Sequence, residues 1–384
     1  MLAQKHFEIT NPDFQVQDDL AWLEVSQELF DPQAVLDKLG GTIKLMKIEQ
    51  EVHSAEIKNA LKAYIKGINP VTKFNLGISS YLNQNLPLLR IEIDLKKELK
   101  AEGFKLRFIE SKEPQLSSVQ VSKNQLTDLE KGVEFNLLSK NGKVYLATTC
   151  AVQDFESYSE RDYGKPGRSA KLGMLPPKLA QIMLNLASVK PGDLVLDPFC
   201  GTGTIAMEGL LMGVNAIASD FDAGQMQRTE QNLEWLNNKF DQEKDLEITI
   251  FEADARNIVK ELESREICAK VTAIVSEGYL GPAQARVPSL QEMKQIFSEL
   301  AGLYRVVFEN YANLLPRGAR VVMTLPYFRA RQEQFMPLDK ILTFSRGFTL
   351  QNPLSASNKQ ERPSLKYARE DQVVGREVFV WEKL

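Results

Sequence analysis

One segment constrains this chain more than any other: Leu194-Val195-Leu196-Asp197-Pro198-Phe199-Cys200-Gly201-Thr202-Gly203-Thr204. An apolar run ends in an acid and a proline, and two glycines follow before a helical pattern over 205–212. Glycines at that place let a backbone approach a ligand closely at a helix N-terminus. From there the chain alternates. Strands are expected at 194–196, 216–219, 248–251, 271–275 and 321–325, with helices at 223–236, 256–262 and 289–314, and a last strand at 379–381. Such alternation predicts a parallel, doubly wound α/β sheet that takes its ligand at the carboxyl ends of the strands.

The first half lacks this regularity. Helices are expected at 21–30, 32–39, 54–66 and 94–102, and strands at 42–48, 74–79, 105–110 and 117–121. A hairpin with arms 133–138 and 143–149 turns at Asn141-Gly142. Helices mixed with antiparallel strands predict a small α+β region. Between the halves, 154–177 carries Tyr158, Arg161, Asp162, Tyr163, Gly164, Lys165, Pro166, Gly167 and Arg168 and ends in Pro176-Pro177. This reads as a linker or an extended docking segment.

Composition excludes several function classes. The 384 residues are 43% hydrophobic and 26% charged, enough apolar material for two or three domains. No apolar run approaches the roughly 20 residues of a membrane-spanning helix. The segment MLAQKHFEIT has no basic region followed by an apolar stretch, so no signal peptide and a cytoplasmic location are expected. Cys150, Cys200 and Cys268, odd in number and far apart, argue against a disulfide framework. His6 and His53 lie far from every cysteine, so no metal site is expected, and no Gly-x-Ser-x-Gly elbow is present. The net charge of −4 hides a polarity along the chain. Residues 201–300 hold 9 basic and 17 acidic side chains, whereas 301–384 hold 13 and 8. That distribution permits a local basic face.

Gly201-x-Gly203-x-x-Ala206, with Asp220 downstream, also fits a dinucleotide fingerprint, which leaves a nicotinamide oxidoreductase open. Asp197 separates the two readings. Dinucleotide folds keep that place apolar because pyrophosphate is an anion, whereas a carboxylate suits a ligand with an ammonium and a sulfonium group. S-adenosylmethionine carries both. Asp220 can accept hydrogen bonds from both ribose hydroxyls, and Asp254 in Glu252-Ala253-Asp254-Ala255 can take the adenine amino group. Phe199, Gly201, Thr202, Gly203, Thr204 and Ala255 complete the expected cofactor contacts. Each acid alone would more often be a helix N-cap, but acids after three successive strands form a constellation.

The fourth strand leads into Ser276-Glu277-Gly278-Tyr279-Leu280-Gly281-Pro282. Methylating an exocyclic amine needs an acceptor for its N–H, so that the lone pair faces the methyl group, and an aromatic face for the base. Glu277, helped by the Gly278 carbonyl, can be that acceptor and Tyr279 can stack. The alternative is a turn in which Glu277 caps a helix.

These residues resemble the tRNA guanosine N2-methyltransferases of archaea and eukaryotes that act at position 10. Leu39-Gly40-Gly41-Thr42-Ile43-Lys44 looks like the ferredoxin-like part of that family. The lysine-rich helix with Arg107, followed by Leu116-Ser117-Ser118, looks like its THUMP RNA-binding domain. Gly173-Met174-Leu175-Pro176-Pro177-Lys178-Leu179-Ala180 resembles the entry into its catalytic domain. The resemblance implies a ferredoxin-like domain at 1–66, a THUMP-like domain at 67–152, a linker at 153–177 and a class I, Rossmann-like S-adenosylmethionine-dependent methyltransferase domain at 178–384. It implies tRNA as partner and N2 of a guanosine as acceptor, and leaves open a small activating subunit and the oligomeric state. The family tetrad is Asp-Pro-Pro-Tyr or Asn-Pro-Pro-Tyr, and here it reads Glu277-Gly278-Tyr279-Leu280. The carboxylate is one methylene longer, both prolines are gone, and the aromatic residue is displaced by one place. Glycine is expected to loosen the loop.

RNA phosphate contacts are expected from Lys96, Lys97, Lys100 and Arg107, and from Arg161, Lys165 and Arg168, with Lys171, between the halves. Mixed charge on a helix is otherwise a solvated face. Arg329, Arg331, Lys359, Arg362, Lys366 and Arg369 are candidates to line the catalytic mouth, and Tyr327 and Phe328 to stack on the base. Cys200 reads as a small buried filler. Two other classes stay open: a non-catalytic tRNA-binding protein that keeps the fold, and a DNA amino-methyltransferase.

Overall fold

Residues 11–17, 20–25, 31–82, 87–168, 174–240, 246–267, 271–353, 362–370 and 372–384 are described by the computed structural model of the protein. The chain divides into two units, Met1–Ser157 and Tyr158–Leu384.

In the first unit, β1 (Asn11–Gln17) and β2 (Leu20–Glu24) form an antiparallel pair. α1 (Pro32–Leu36) is capped by Asp31, whose carboxylate accepts from the Gln33 and Ala34 amides. The main sheet comprises β3 (Lys44–Val52), β4 (Phe74–Tyr81), β5 (Leu106–Phe108), β6 (Gly132–Lys140) and β7 (Lys143–Val152), in the order β3-β7-β6-β4-β5. Leu61 and Ile65 of α2 (Ile57–Ile68) and Leu95 and Leu99 of α3 (Leu88–Ala101) pack against Phe74, Leu76, Phe135 and Leu137. Beside β7, α4 (Ser118–Lys123) contributes Val121 to a small cluster with Leu116, Leu126 and Val152.

Three expectations change here. The segment 21–30 is not helical over its described part. Leu20 and Trp22 point the same way with a period of two, and Trp22 packs edge-on to Tyr145 of β7, so the residues form β2. The expected strand at 117–121 is α4, because Ser117 and Gln120 form a capping box. The expected boundary at 66/67 falls inside one sheet, since β3 pairs with β7 along its length. Across that line Lys44 donates to Glu134 at 2.6 Å, a buried ion pair whose carboxylate also accepts from Ser79 and Thr149.

The division between units falls within α5 (Phe155–Ser159), which a π-helical turn over Glu160–Gly164 continues. The second unit then holds α6 (Pro177–Leu186), β8 (Leu194–Asp197), α7 (Thr204–Leu211), β9 (Asn215–Asp220), α8 (Ala223–Lys239), β10 (Ile248–Glu252), α9 (Ile258–Ser264), β11 (Ala273–Ser276), α10 (Leu290–Leu314) and β12 (Arg320–Phe328). It ends with β13 (Gln334–Phe335), α11 (Leu338–Phe344), β14 (Phe348–Gln351), β15 (Ser364–Tyr367) and β16 (Val374–Lys383). The sheet runs β10-β9-β8-β11-β12-β16-β14, with β13 and β15 pairing at one end of β12 and β16. The first five strands are parallel. β16 enters antiparallel between β12 and β14, a departure from the all-parallel expectation.

Burial is nearly continuous along β11, β12 and β16 because helices cover both faces, and successive side chains enter opposite cores. Val321, Met323, Phe379 and Trp381 face the core of α10, with Tyr304, Phe308 and Tyr311. Val322, Val378 and Val380 face α6 with Leu179, Met183 and Leu184. Strand order reverses between β8 and β11, and such a switch point opens a crevice at the carboxyl ends. No described helix is long and apolar enough to cross a membrane.

Candidate active site

The carboxyl ends of β8, β9 and β11 open into a cavity of about 910 Å³. Asp197, the last residue of β8, lies on its wall and is 2% exposed. Its Oδ1 accepts from the Ser276 hydroxyl at 2.6 Å and from the Phe199 amide at 3.3 Å. Ser276 ends β11, so one carboxylate ties the two strands of the switch point together. Burial outweighs these bonds and pushes its pKa up to about 7.

Gly201 and Gly203 adopt φ of +54° and +78°, the left-handed region that favours glycine. At Gly203 a Cβ would lie 2.7 Å from Thr229 Cγ2, so this glycine packs behind the loop while Phe199, Gly201, Thr202 and Thr204 face the cavity. α8 fixes the loop from behind: Thr229 donates to the Gly201 carbonyl at 2.9 Å and Asn232 to the Thr202 carbonyl at 2.8 Å. Cys200 is buried against Met226 and Thr229, a filler as expected.

Asp220 ends β9. One oxygen accepts from the Gly201 amide at 3.0 Å and the other from the Asp222 amide at 3.1 Å, and the residue lines the cavity. Burial raises its pKa. The next residue, Phe221, is 72% exposed on the cavity wall. The sequence reading missed it, although an aromatic residue directly after the acid was the available signal. Asp254 and Ala255 line the far side. Asp254 is bound by Arg256 through the amide at 2.9 Å and Nε at 2.9 and 3.0 Å, and this guanidinium holds its carboxyl below the usual range.

Glu277, Gly278 and Tyr279 form the opposite wall. Tyr279 presents a ring that is 45% exposed. The loop is not loose. Tyr304 of α10 donates its hydroxyl to the Tyr279 carbonyl at 2.5 Å. A Cβ at Gly278 would lie 2.7 Å from the Tyr304 hydroxyl and 2.8 Å from the Thr324 carbonyl, so glycine permits a close fit that replaces proline's stiffness. Glu277 caps no helix, since the next begins after Ser289. Its carboxylate pairs with Nε of Arg376, a buried residue of β16 on the same wall that the sequence reading did not single out. Burial raises the Glu277 pKa, while Arg376 and Lys165 oppose that rise.

Two expected RNA contacts are corrected. Arg161 is buried, donates from Nε to buried Glu208 of α7 at 2.8 Å and lies 4.5 Å over the Tyr158 ring. Lys165 is buried and donates to Thr204 at 2.8 Å, and desolvation lowers its pKa to about 8. Gly167 donates its amide to Asn232 at 2.7 Å. From Tyr158 to Gly167 the expected linker is therefore packed against the glycine loop and its helix. Arg168 stays exposed beside the Tyr163 ring. In the first unit, Lys96, Lys97, Lys100 and Arg107 are exposed. Glu98 of α3 pairs with Lys58 and Lys62, and Glu102, just after that helix, with Lys62 and Lys66, the lysines all belonging to α2.

The C-terminal candidates among the described residues do not line the cavity. Arg362 binds Glu377, Lys366 binds Glu333 at 2.6 Å, Arg369 meets Asp162 at 3.5 Å and Arg329 donates to the Glu370 carbonyl at 3.0 Å. Arg331 is exposed. Tyr327 and Phe328 are core residues, Tyr327 stacked on Phe335 and Phe328 against Phe297. Lys171 and Lys359 lie outside the described residues.

Over residues 167–274 the chain matches the family model UPF0020, described as an RMKL-like methyltransferase domain. It is similar to a tRNA (guanine(10)-N2)-dimethyltransferase of Methanothermobacter thermautotrophicus, 33% identical over 159 residues, which cover 41% of this chain and 40% of that protein. The enzyme of the same name from Methanocaldococcus jannaschii is 38% identical over 128 residues, covering 33% of this chain and 35% of that protein. The chain thus spans two-fifths or less of the length of these relatives. In fold it is similar to the crystal structure of TrmN from Thermus thermophilus, with a TM-score of 0.53 and 17% identity over 100% of this chain and 94% of the other. Residues 167–274 are thus similar to a methyltransferase domain described as RMKL-like.

Proposed function

We propose that the protein is a cytoplasmic tRNA methyltransferase that uses S-adenosylmethionine to methylate N2 of a guanosine, at position 10 as in the names of its archaeal relatives. The observation that carries this reading is the meeting of Asp197, Asp220 and Glu277 on one cavity, at three neighbouring strand ends behind a glycine loop. The residues fit the cofactor. Asp197 is a buried carboxylate that no cation of the described residues pairs with, which suits an ammonium group and would repel a pyrophosphate. Asp220 has acceptor capacity for two hydroxyls, Phe221 offers a face to a planar heterocycle, and Asp254 can exchange Arg256 for an adenine amine. When bound, S-adenosylmethionine supplies a methyl group on a sulfonium.

At the other wall Glu277 accepts a proton of the exocyclic amine, directing the nitrogen lone pair into the cavity, and Tyr279 stacks on the base. The Gly278 carbonyl is the second acceptor. The guanosine must leave its stack to enter. The exposed Lys96, Lys97, Lys100, Arg107 and Arg168 supply phosphate contacts. Tritiated S-adenosylmethionine offered with unmodified tRNA and duplex DNA together tests the reading. Label in tRNA alone is expected. Label in DNA identifies a DNA enzyme, and no label despite bound tRNA and cofactor identifies a non-catalytic RNA-binding protein.

A further inference from the structure

The chemistry above leaves Arg376 without a part, yet its setting is unusual. A guanidinium 2% exposed, on the wall of the cavity, is paired with the one carboxylate that meets the acceptor base. Burying such a charge is costly, and breaking the pair would leave the partner's charge uncompensated. Four groups face Glu277: Arg376 from β16, Lys165 from the segment after the π-helical turn, Asp197 from the end of β8 and Tyr304 from α10. Arg376 is the one that hydrogen-bonds its carboxylate, and its backbone is held in the sheet by pairing with β12.

We propose that Arg376 is a positioning residue that holds Glu277 as an ionised carboxylate, so that the Glu277 carboxylate and the Gly278 carbonyl meet the base as acceptors and select an edge with two adjacent donors. Guanine is such a base: its ring N1–H and its exocyclic N2 amine lie side by side. Adenine and cytosine place a ring acceptor beside their amine, which an ionised carboxylate repels. An amide can serve either pattern by turning over; a carboxylate held ionised cannot. The choice of base rests on the function proposed above, whereas the coupling of Arg376 to Glu277 does not.

Melting of the ligand-free full chain tests the coupling, using wild type, Arg376→Gln, Glu277→Gln and the double variant at pH 5 and pH 8. Without Arg376, burial raises the Glu277 pKa further. A carboxyl with a raised folded pKa favours the folded state at low pH, and that gain is lost as pH rises through the folded pKa. Arg376→Gln should therefore melt about 3 °C or more below wild type at pH 8, and nearer to it at pH 5. Adding Glu277→Gln should restore much of the loss at pH 8. Asp197 also feels the Glu277 charge, so the double variant is read against Glu277→Gln, where that effect is the same. An equal loss at both pH values, or no recovery in the double variant, overturns the coupling.

Methyl transfer to tRNA tests the selection. Arg376→Gln should move the acid limb of kcat/KM to higher pH, and Arg376→Lys, which keeps the charge should the glutamine variant not fold, should leave the limb in place. N2-methylguanosine from wild type with an unmoved limb in Arg376→Gln overturns the inference and spares the function. Methyladenosine from wild type overturns the selection and the guanosine function, while the melting result still judges the pair.

Discussion

The two ends of the cavity are built differently. At the cofactor end Asp197, Gly201 and Gly203 lie within one turn of chain, and the Gly201 amide reaches Asp220 across 19 residues. At the acceptor end Tyr304 reaches the Tyr279 carbonyl across 25 residues and Arg376 reaches Glu277 across 99. The first is a motif, set by glycine backbone angles and a strand end. The second is an assembly, in which an irregular loop takes its shape from a helix beneath and an antiparallel strand beside it. A bond from Ser276 to Asp197 joins the two. A catalytic tetrad can therefore lose its prolines and keep a fixed shape if the surrounding fold supplies the stiffness.

If the ends are separable in function, each substitution should move one quantity and leave the other. Glu277→Gln should cost about 1000-fold in kcat, the size expected of a lost proton acceptor, with cofactor affinity unchanged by calorimetry. A parallel loss of cofactor affinity would show that the ends act as one. Asp197→Ala should weaken S-adenosylmethionine binding about 100-fold or more while tRNA binding stays intact, since a ligand ammonium would lose its buried partner. Unchanged affinity would remove Asp197 as the anchor.

A pH series separates the ends without mutation. The Asp197 pKa, about 7 in the ligand-free protein, must fall when a cation binds, so affinity is full above that value and is lost as pH falls through it. Calorimetry should show about tenfold weaker binding at pH 6 than at pH 8. The same raised pKa favours the ligand-free fold most below 3.8, and the gain is lost as pH rises from there through about 7, so Asp197→Asn should raise the melting temperature most at pH 8, less at pH 5 and least below pH 4. Tyr304→Phe should have the smallest effect: about fivefold in kcat from one lost hydrogen bond, with cofactor affinity unmoved. A larger loss of affinity than of kcat would place Tyr304 at the wrong end.

The difference between the ends also explains what could be read in the sequence. The placement of Asp197, Asp220 and the glycines at strand ends and in the loop was legible because it follows from neighbours in the chain, as does the alternation of β8 to β12 with helices. Arg376 and Tyr304 were not, because a lone arginine near the C-terminus and a tyrosine in a helix carry no local mark of the loop they meet. Arg161 and Lys165 misled for the same reason. Their basic, glycine- and proline-rich setting looks like a linker until Glu208 and Thr204 come to them from α7. In the first unit the capping box of α4 was local and was overlooked, whereas the pairing of β3 with β7, about 100 residues apart, had no local sign.

The most direct measurement of the central claim is nucleoside analysis of unmodified tRNA after incubation with labelled S-adenosylmethionine, with Glu277→Ala alongside wild type. The account predicts N2-methylguanosine from wild type and none from the variant, with both proteins binding the cofactor equally. N2-methylguanosine from both, or label on another base, would contradict it.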